Sequence, residues 1–132
     1  METYIIISLI FFVSIIAYWI TVVIQFWKKR KLDKQKIRFY KKVIKKAWIW
    51  TSYKERIIEY DKIYHKILIS FWYDWSFWDI LKLYPNEIED IDKIWELHKL
   101  RNKLVHEFDL ITWSILKKKA QEYHNELIKL IK

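Results

Sequence analysis

The sequence predicts an all-α protein: an N-terminal transmembrane helix followed by a small cytoplasmic helical bundle of about four helices. Three observations carry that expectation. No charged residue occurs from Tyr4 to Trp27, and Lys28-Lys29-Arg30-Lys31 then arrives as a block. Beyond the block, apolar residues recur every three or four positions, the period of an amphipathic helix. Nowhere does the two-residue alternation of a half-buried strand persist.

The first element is the span, residues 4–27. In lipid a chain must satisfy its own backbone hydrogen bonds, so a long apolar run reads as a helix. At a rise of ~1.5 Å per residue it extends roughly 36 Å, enough to cross with some tilt. Tyr4, Trp19 and Trp27 are placed for the interfaces, and the positive-inside rule keeps the basic block in the cytoplasm. The expected location is a bacterial inner (plasma) membrane, single-pass, with the C-terminal domain cytoplasmic. A cleavable signal peptide wants a cationic start and a small-x-small cleavage site, whereas the charge ahead of the run is Glu2. Ala17-x-x-x-Thr21 has the small-residue spacing that lets two spans approach.

Residues 28–50 form the second element, a basic juxtamembrane helix or linker. The formal charge of +9 is concentrated here. Residues 28–46 hold eleven basic side chains against Asp33: Lys28, Lys29, Arg30, Lys31, Lys34, Lys36, Arg38, Lys41, Lys42, Lys45 and Lys46. The rest of the chain, from residue 47 on, is balanced. Cations directly beside a span are attracted to anionic headgroups by ~1 kcal/mol each, so membrane lipid is the first expected partner. RNA phosphates are the second. Ile37, Tyr40, Val43, Ile44 and Ala47 share a helical face, which suggests a helix lying along the bilayer.

The remaining helices form a domain over 53–132, and about 105 residues outside the span suffice for one modest core. Ile57, Tyr60, Tyr64, Ile67 and Phe71 make the first apolar stripe. A short helix over 77–84 stops at Pro85, the single proline. Asn86 is placed to cap a helix running to His106, with Glu87, Glu89 and Asp90 in its positive first turn. Thr112 can cap the last helix, whose buried stripe is Leu116, Ala120, Tyr123, Leu127 and Leu130.

Glycine is absent and tryptophan appears nine times. Average usage of ~7% would give about nine Gly in such a chain. An AT-rich gene depletes both residues, so base composition does not account for the excess of Trp. A gene whose cell reads UGA as glycine would show this pattern if translated with a code that reads UGA as tryptophan. Trp48, Trp50, Trp72, Trp75 and Trp78 fall near apparent turns, where Gly belongs. Trp95 sits in an amphipathic helix and reads as a true Trp.

On the 87–108 helix, Glu89, Asp92, Glu96, Lys99, Lys103 and Glu107 cluster in an arc of about 80°, a solvated face with opposite-charge pairs. Ile91, Ile94, Trp95, Leu97, Leu104, Val105 and Phe108 fill the rest. Arg101 falls inside that apolar arc, with His98 and Asn102 nearby and His106 at its edge. A guanidinium aimed at an apolar surface needs a partner, whether a structural carboxylate, a facing subunit or a ligand phosphate.

Leu97-His98-Lys99-Leu100-Arg101-Asn102-Lys103-Leu104-Val105-His106-Glu107 resembles the Arg-polar-x-x-x-His motif of HEPN domains, all-α bundles of many prokaryotic toxins and RNA-targeting defence proteins. Arg101, Asn102 and His106 match the motif, and the resemblance covers about residues 53–132. Trp72-Tyr73-Asp74-Trp75 is similar to a Gly-Tyr-x-Gly loop of small bacterial relatives if those Trp positions are Gly. The resemblance implies a homodimer that cleaves RNA without metal in stress or defence. His106 would then move protons around the ribose 2′-OH, Arg101 would stabilise the phosphorane, and Asn102 would orient His106 or the phosphate. On an ideal helix Arg101 and His106 stand about 140° apart, so two copies are needed to converge both groups. A non-catalytic, membrane-anchored helical interaction module is the alternative.

Without Cys there is no disulfide, thiolate-zinc site or Cys nucleophile. His65 and His124 read as ordinary helix-surface or boundary residues, and His98 and His106 lack a third ligand at metal spacing, so neither a metal nor a cofactor is expected.

Overall fold

A computed structural model describes residues 2–106 and 111–132. Glu107 and Phe108 of the charged and apolar arcs lie outside those residues. Six helices are present and, among the described residues, no strand: α1 (Glu2–Trp27), α2 (Lys34–Trp50), α3 (Tyr53–Ser70), α4 (Phe77–Lys82), α5 (Ile91–His106) and α6 (Trp113–Leu130). α1 contains a stretch, Thr3–Gln25, long and apolar enough to cross a membrane, and none of it is covered by the rest of the protein. Tyr4 and Trp19 are exposed on it.

Local chemistry sets the helix starts. Asp33 accepts from the Lys36 amide ahead of α2. Ser52 and Glu55 form a reciprocal capping box ahead of α3. Ser76 caps α4 through the Asp79 amide. The start of α5 differs from the sequence expectation: Asp90, not Asn86, accepts from the third amide, at Lys93, and the helix begins at Ile91. Residues 85–88 form a turn instead, closed by the Ile88 amide donating to the Pro85 carbonyl. Thr112 stands at the N-cap of α6 with extended backbone, yet its hydroxyl makes no capping bond.

α3 is the central element and packs against α2, α5 and α6. Ile57, Tyr60, Tyr64 and Ile67 are sealed on it, facing Ile94 and Leu97 of α5 and Ala120, Tyr123 and Leu127 of α6. Each sealed Ile or Leu contributes about 1.5–3 kcal/mol by leaving water. The stripes expected on these helices are therefore the core.

The apolar face of α2 is placed differently from expectation. Tyr40, Ile44 and Ala47 are buried against the bundle, and the Tyr40 hydroxyl donates to the Lys66 carbonyl and bonds Ser70 Oγ at 2.7 Å. That face is used by α3, so it does not lie on a bilayer. The outward face of α2 carries the lysines.

α3 ends in a Schellman turn. The Trp72 amide donates to the Ile69 carbonyl and the Tyr73 amide to the Leu68 carbonyl, with Trp72 at φ 74°. This is the left-handed position that glycine normally takes after a helix. Trp72 is also 86% exposed, so its ring is not held by packing. The turn argument for a native glycine thus fits position 72. It does not extend to Trp48 and Trp50, which lie in α2, or to Trp78, which lies in α4 and meets Trp95 edge-on at 4.4 Å.

Candidate functional site

The α5 motif is built on a helix whose inner face meets α3 and α6. Arg101 turns toward that interior, and the partner it requires is Asp61 of α3: Nε lies 3.5 Å from Oδ2. At that separation the contact is an ion pair without a directed hydrogen bond, and Nε is otherwise buried and unbonded. Arg101 Nη1 donates to Asn102 Oδ1 at 2.9 Å. Asp61 Oδ1 accepts from the His98 ring at Nδ1 (2.9 Å) and from the Tyr123 hydroxyl (2.8 Å). With Nδ1 donating, His98 Nε2 is left to accept from Asn102 Nδ2, a long contact of 3.4 Å. This tautomer follows from the bonding pattern.

The result is one connected polar cluster from three helices: Asp61, Tyr123, His98, Asn102 and Arg101. A buried carboxylate is tolerated only when its lone pairs and charge are met, and here two donors and a cation meet them. Burial, and then the adjacent Asp61 charge, push the Tyr123 phenol well above its ordinary range, which keeps it a donor. The Phe77 ring stands edge-on to His98 at 4.6 Å and closes the cluster on one side.

His106, the remaining motif residue, is exposed in the last turn of α5. Among the described residues no hydrogen bond or ion pair joins it to Arg101 or Asn102. The structure therefore brings Arg101 and Asn102 together and leaves His106 apart within one copy. Asp92, Glu96, Lys99 and Lys103 of α5 are exposed as the wheel required, and Glu89, also exposed, lies ahead of the helix.

Asp61 was not singled out in the sequence, although its signal was available. It stands four residues after Ile57 and three before Tyr64, on the buried stripe of α3, the same anomaly that marked Arg101. Tyr123 was read as core, which it is, but its hydroxyl also serves the cluster.

The basic side chains lie in two places. Lys28, Lys29, Arg30 and Lys31 belong to the non-helical stretch between α1 and α2, and Lys34, Lys36, Arg38, Lys41, Lys42, Lys45 and Lys46 are exposed on α2. Arg30 has specific partners. Its backbone amide donates to Glu87 Oε1 at 3.1 Å, and its guanidinium donates to the Phe71 carbonyl and lies 5.3 Å from the centre of the Tyr73 ring. The Tyr73 hydroxyl completes the set by donating to Glu87 Oε2 at 2.9 Å. Burial, with the adjacent Glu87, pushes the Tyr73 phenol up to about 12.

Among the described residues no group of three His, Asp or Glu side chains is placed to hold a metal ion. Comparison with protein-family models, characterised proteins and solved structures finds no match.

Proposed function

We propose that this chain is a single-pass membrane protein presenting a HEPN-like helical domain to the cytoplasm, and that its α5 motif serves structure and association, not RNA cleavage. The carrying observation is the commitment of Arg101 to Asp61 at 3.5 Å. A group that stabilises a phosphorane must aim free donors at the developing charge. Here the guanidinium is directed at a carboxylate, whose own charge repels a phosphate approaching the same side. The exposed end of α5, with Val105 and His106, is the surface left for a partner protein. The basic stretch and the outward face of α2 hold the domain near anionic lipid.

A second reading, a metal-independent ribonuclease formed by two copies, draws on two observations. The Arg101 side chain keeps 26% of its exposure and His106 is open, so a facing copy could reach both. The test is an RNA-cleavage assay on the full chain in lipid nanodiscs with EDTA present. No cleavage is the expected result. Cleavage that resists EDTA and falls roughly 10²-fold in His106→Ala would replace the association reading with the ribonuclease.

A further inference from the structure

We infer that the end of the helical domain made by residues 71–75 and 83–87 rests on a surface of anionic phospholipid, with a headgroup phosphate received in the cleft between Lys28 and Tyr84. The inference deepens the membrane-anchored reading and rests on α1 crossing the bilayer.

Chain length supplies the first argument. Arg30 is the third residue beyond the end of α1, and three extended residues reach at most about 11 Å. Arg30 is bound by backbone and side chain to Glu87 and Phe71, so both turns are held within that reach, plus one side chain's length, of the span's exit. The end of the bundle cannot stand far from the membrane while these bonds hold.

The surface chemistry supplies the second. Leu83 and Tyr84 are 55% and 69% exposed side by side, an unfavourable pair in water but a suitable one at the headgroup level, where an apolar ring with a polar tip is favoured. Tyr84 is held at φ 50° by the turn closing α4, its amide bonded to the Leu81 carbonyl. Between this pair and Lys28 lies an open cleft of about 470 Å³. A neighbouring one of about 490 Å³ shares Lys28 and Arg30, adds Lys29 and Lys31, and is walled by Gln25 from the last turns of α1. Lysine ammonium groups are point charges suited to phosphate. Glu87 also lines the first cleft, but it is buried with both oxygens accepting from Arg30 and Tyr73, and its single charge is outnumbered by the cations Lys28 and Arg30 of the same lining. RNA would be drawn to the same lysines, yet the neighbouring cleft that shares Lys28 and Arg30 is walled by Gln25 of the span itself, which sets these cations at headgroup level. Trp72 and Trp75 line these clefts too, but the inference stands on Lys28, Arg30, Leu83 and Tyr84 and is unchanged if either is glycine in the native protein.

Because the chain has no cysteine, single labels are unambiguous. Trp75→Cys, at a residue on which the inference does not stand, and Ser114→Cys, near the opposite end of α3 where Trp113 meets Tyr53, are labelled with an environment-sensitive fluorophore. Each is reconstituted as the full chain into phosphatidylcholine vesicles with or without phosphatidylglycerol. Carbonate extraction is run first. A chain that is extracted overturns the anchor and the inference together; a chain that resists extraction tests the inference alone. The expected result is greater protection from acrylamide at position 75 than at 114, and quenching at 75 by headgroup-nitroxide lipid, both several-fold stronger with phosphatidylglycerol present. Equal accessibility at the two positions, or protection independent of phosphatidylglycerol, overturns it. So does protection at 75 produced by added RNA on phosphatidylcholine vesicles. Arg30→Ala, which removes the guanidinium bond to Phe71 and keeps the backbone bond to Glu87, should reduce the protection at 75 with helicity unchanged by circular dichroism, and protection that survives this change overturns the guanidinium's part in it.

Discussion

Asp61 and Glu87 are both buried carboxylates, yet they hold different parts of the molecule. Asp61 sits at the centre of the bundle and is met by His98, Tyr123 and Arg101, side chains of α5 and α6. Glu87 sits at one end and is met by Tyr73 and by the backbone of Arg30, which belongs to the stretch leaving α1. The first arrangement neutralises a charge with a cation. The second satisfies a charge with two neutral donors and uses them to fasten the bundle to the stretch that follows α1. Removing Asp61 should therefore unsettle the fold, and removing Glu87 should mainly loosen a joint.

Three measurements press on that difference. Asp61→Asn should have the largest effect, a loss of about 3 kcal/mol in denaturant unfolding of the detergent-solubilised chain, because Arg101 loses its partner. Glu87→Gln should cost less, about 1–2 kcal/mol, from weakened hydrogen bonds at the joint. The same variant should bring the Tyr73 phenol down from about 12 toward ~10, stopping short of it because burial persists, as followed by phenolate absorbance. Unchanged Tyr73 titration would mean that Glu87 does not hold that hydroxyl in solution.

Trp72→Gly should stabilise the protein by ~1 kcal/mol, since a bulky L-residue at φ 74° carries a left-handed penalty that glycine lacks. Mass spectrometry of peptides from the native source then decides whether glycine is already there, and Trp found at 72 ends that interpretation for this position.

The smallest effect belongs to His124, bonded to neither carboxylate. Its Nδ1 lies 3.1 Å from the Tyr60 hydroxyl, and burial followed by the Arg56 charge lowers its pKa. The unfolded chain takes up the proton more readily, so this contribution is complete above ~6.5 and is lost as pH falls through the lowered folded value. Thermal midpoints of the wild type should decline over that window more than those of His124→Gln. Parallel curves would exclude His124 as the source.

Much of the candidate site was legible because its signals are anomalies within a pattern. Arg101 on an apolar arc demands a partner, and the demand is met. Asp61 carried the same signal on α3 and went unread, since its significance depends on knowing that α3 and α5 face each other across 40 residues of sequence. The α2 stripe was read correctly as apolar and assigned to the wrong neighbour. Periodicity reports which face is buried and says nothing of what covers it.

By itself the sequence determined the local features: the charge-free run, the basic block behind it and the helical periods. These depend on bonds and burial within a few turns of chain, so their residues state them directly. The tertiary structure alone decided that α2 packs on α3, that Asp61 rather than a phosphate receives Arg101, and that Arg30 reaches Phe71 and Glu87. Each of those joins residues 26 to 57 positions apart, and such pairings are set by the packing of whole helices, which no local pattern encodes.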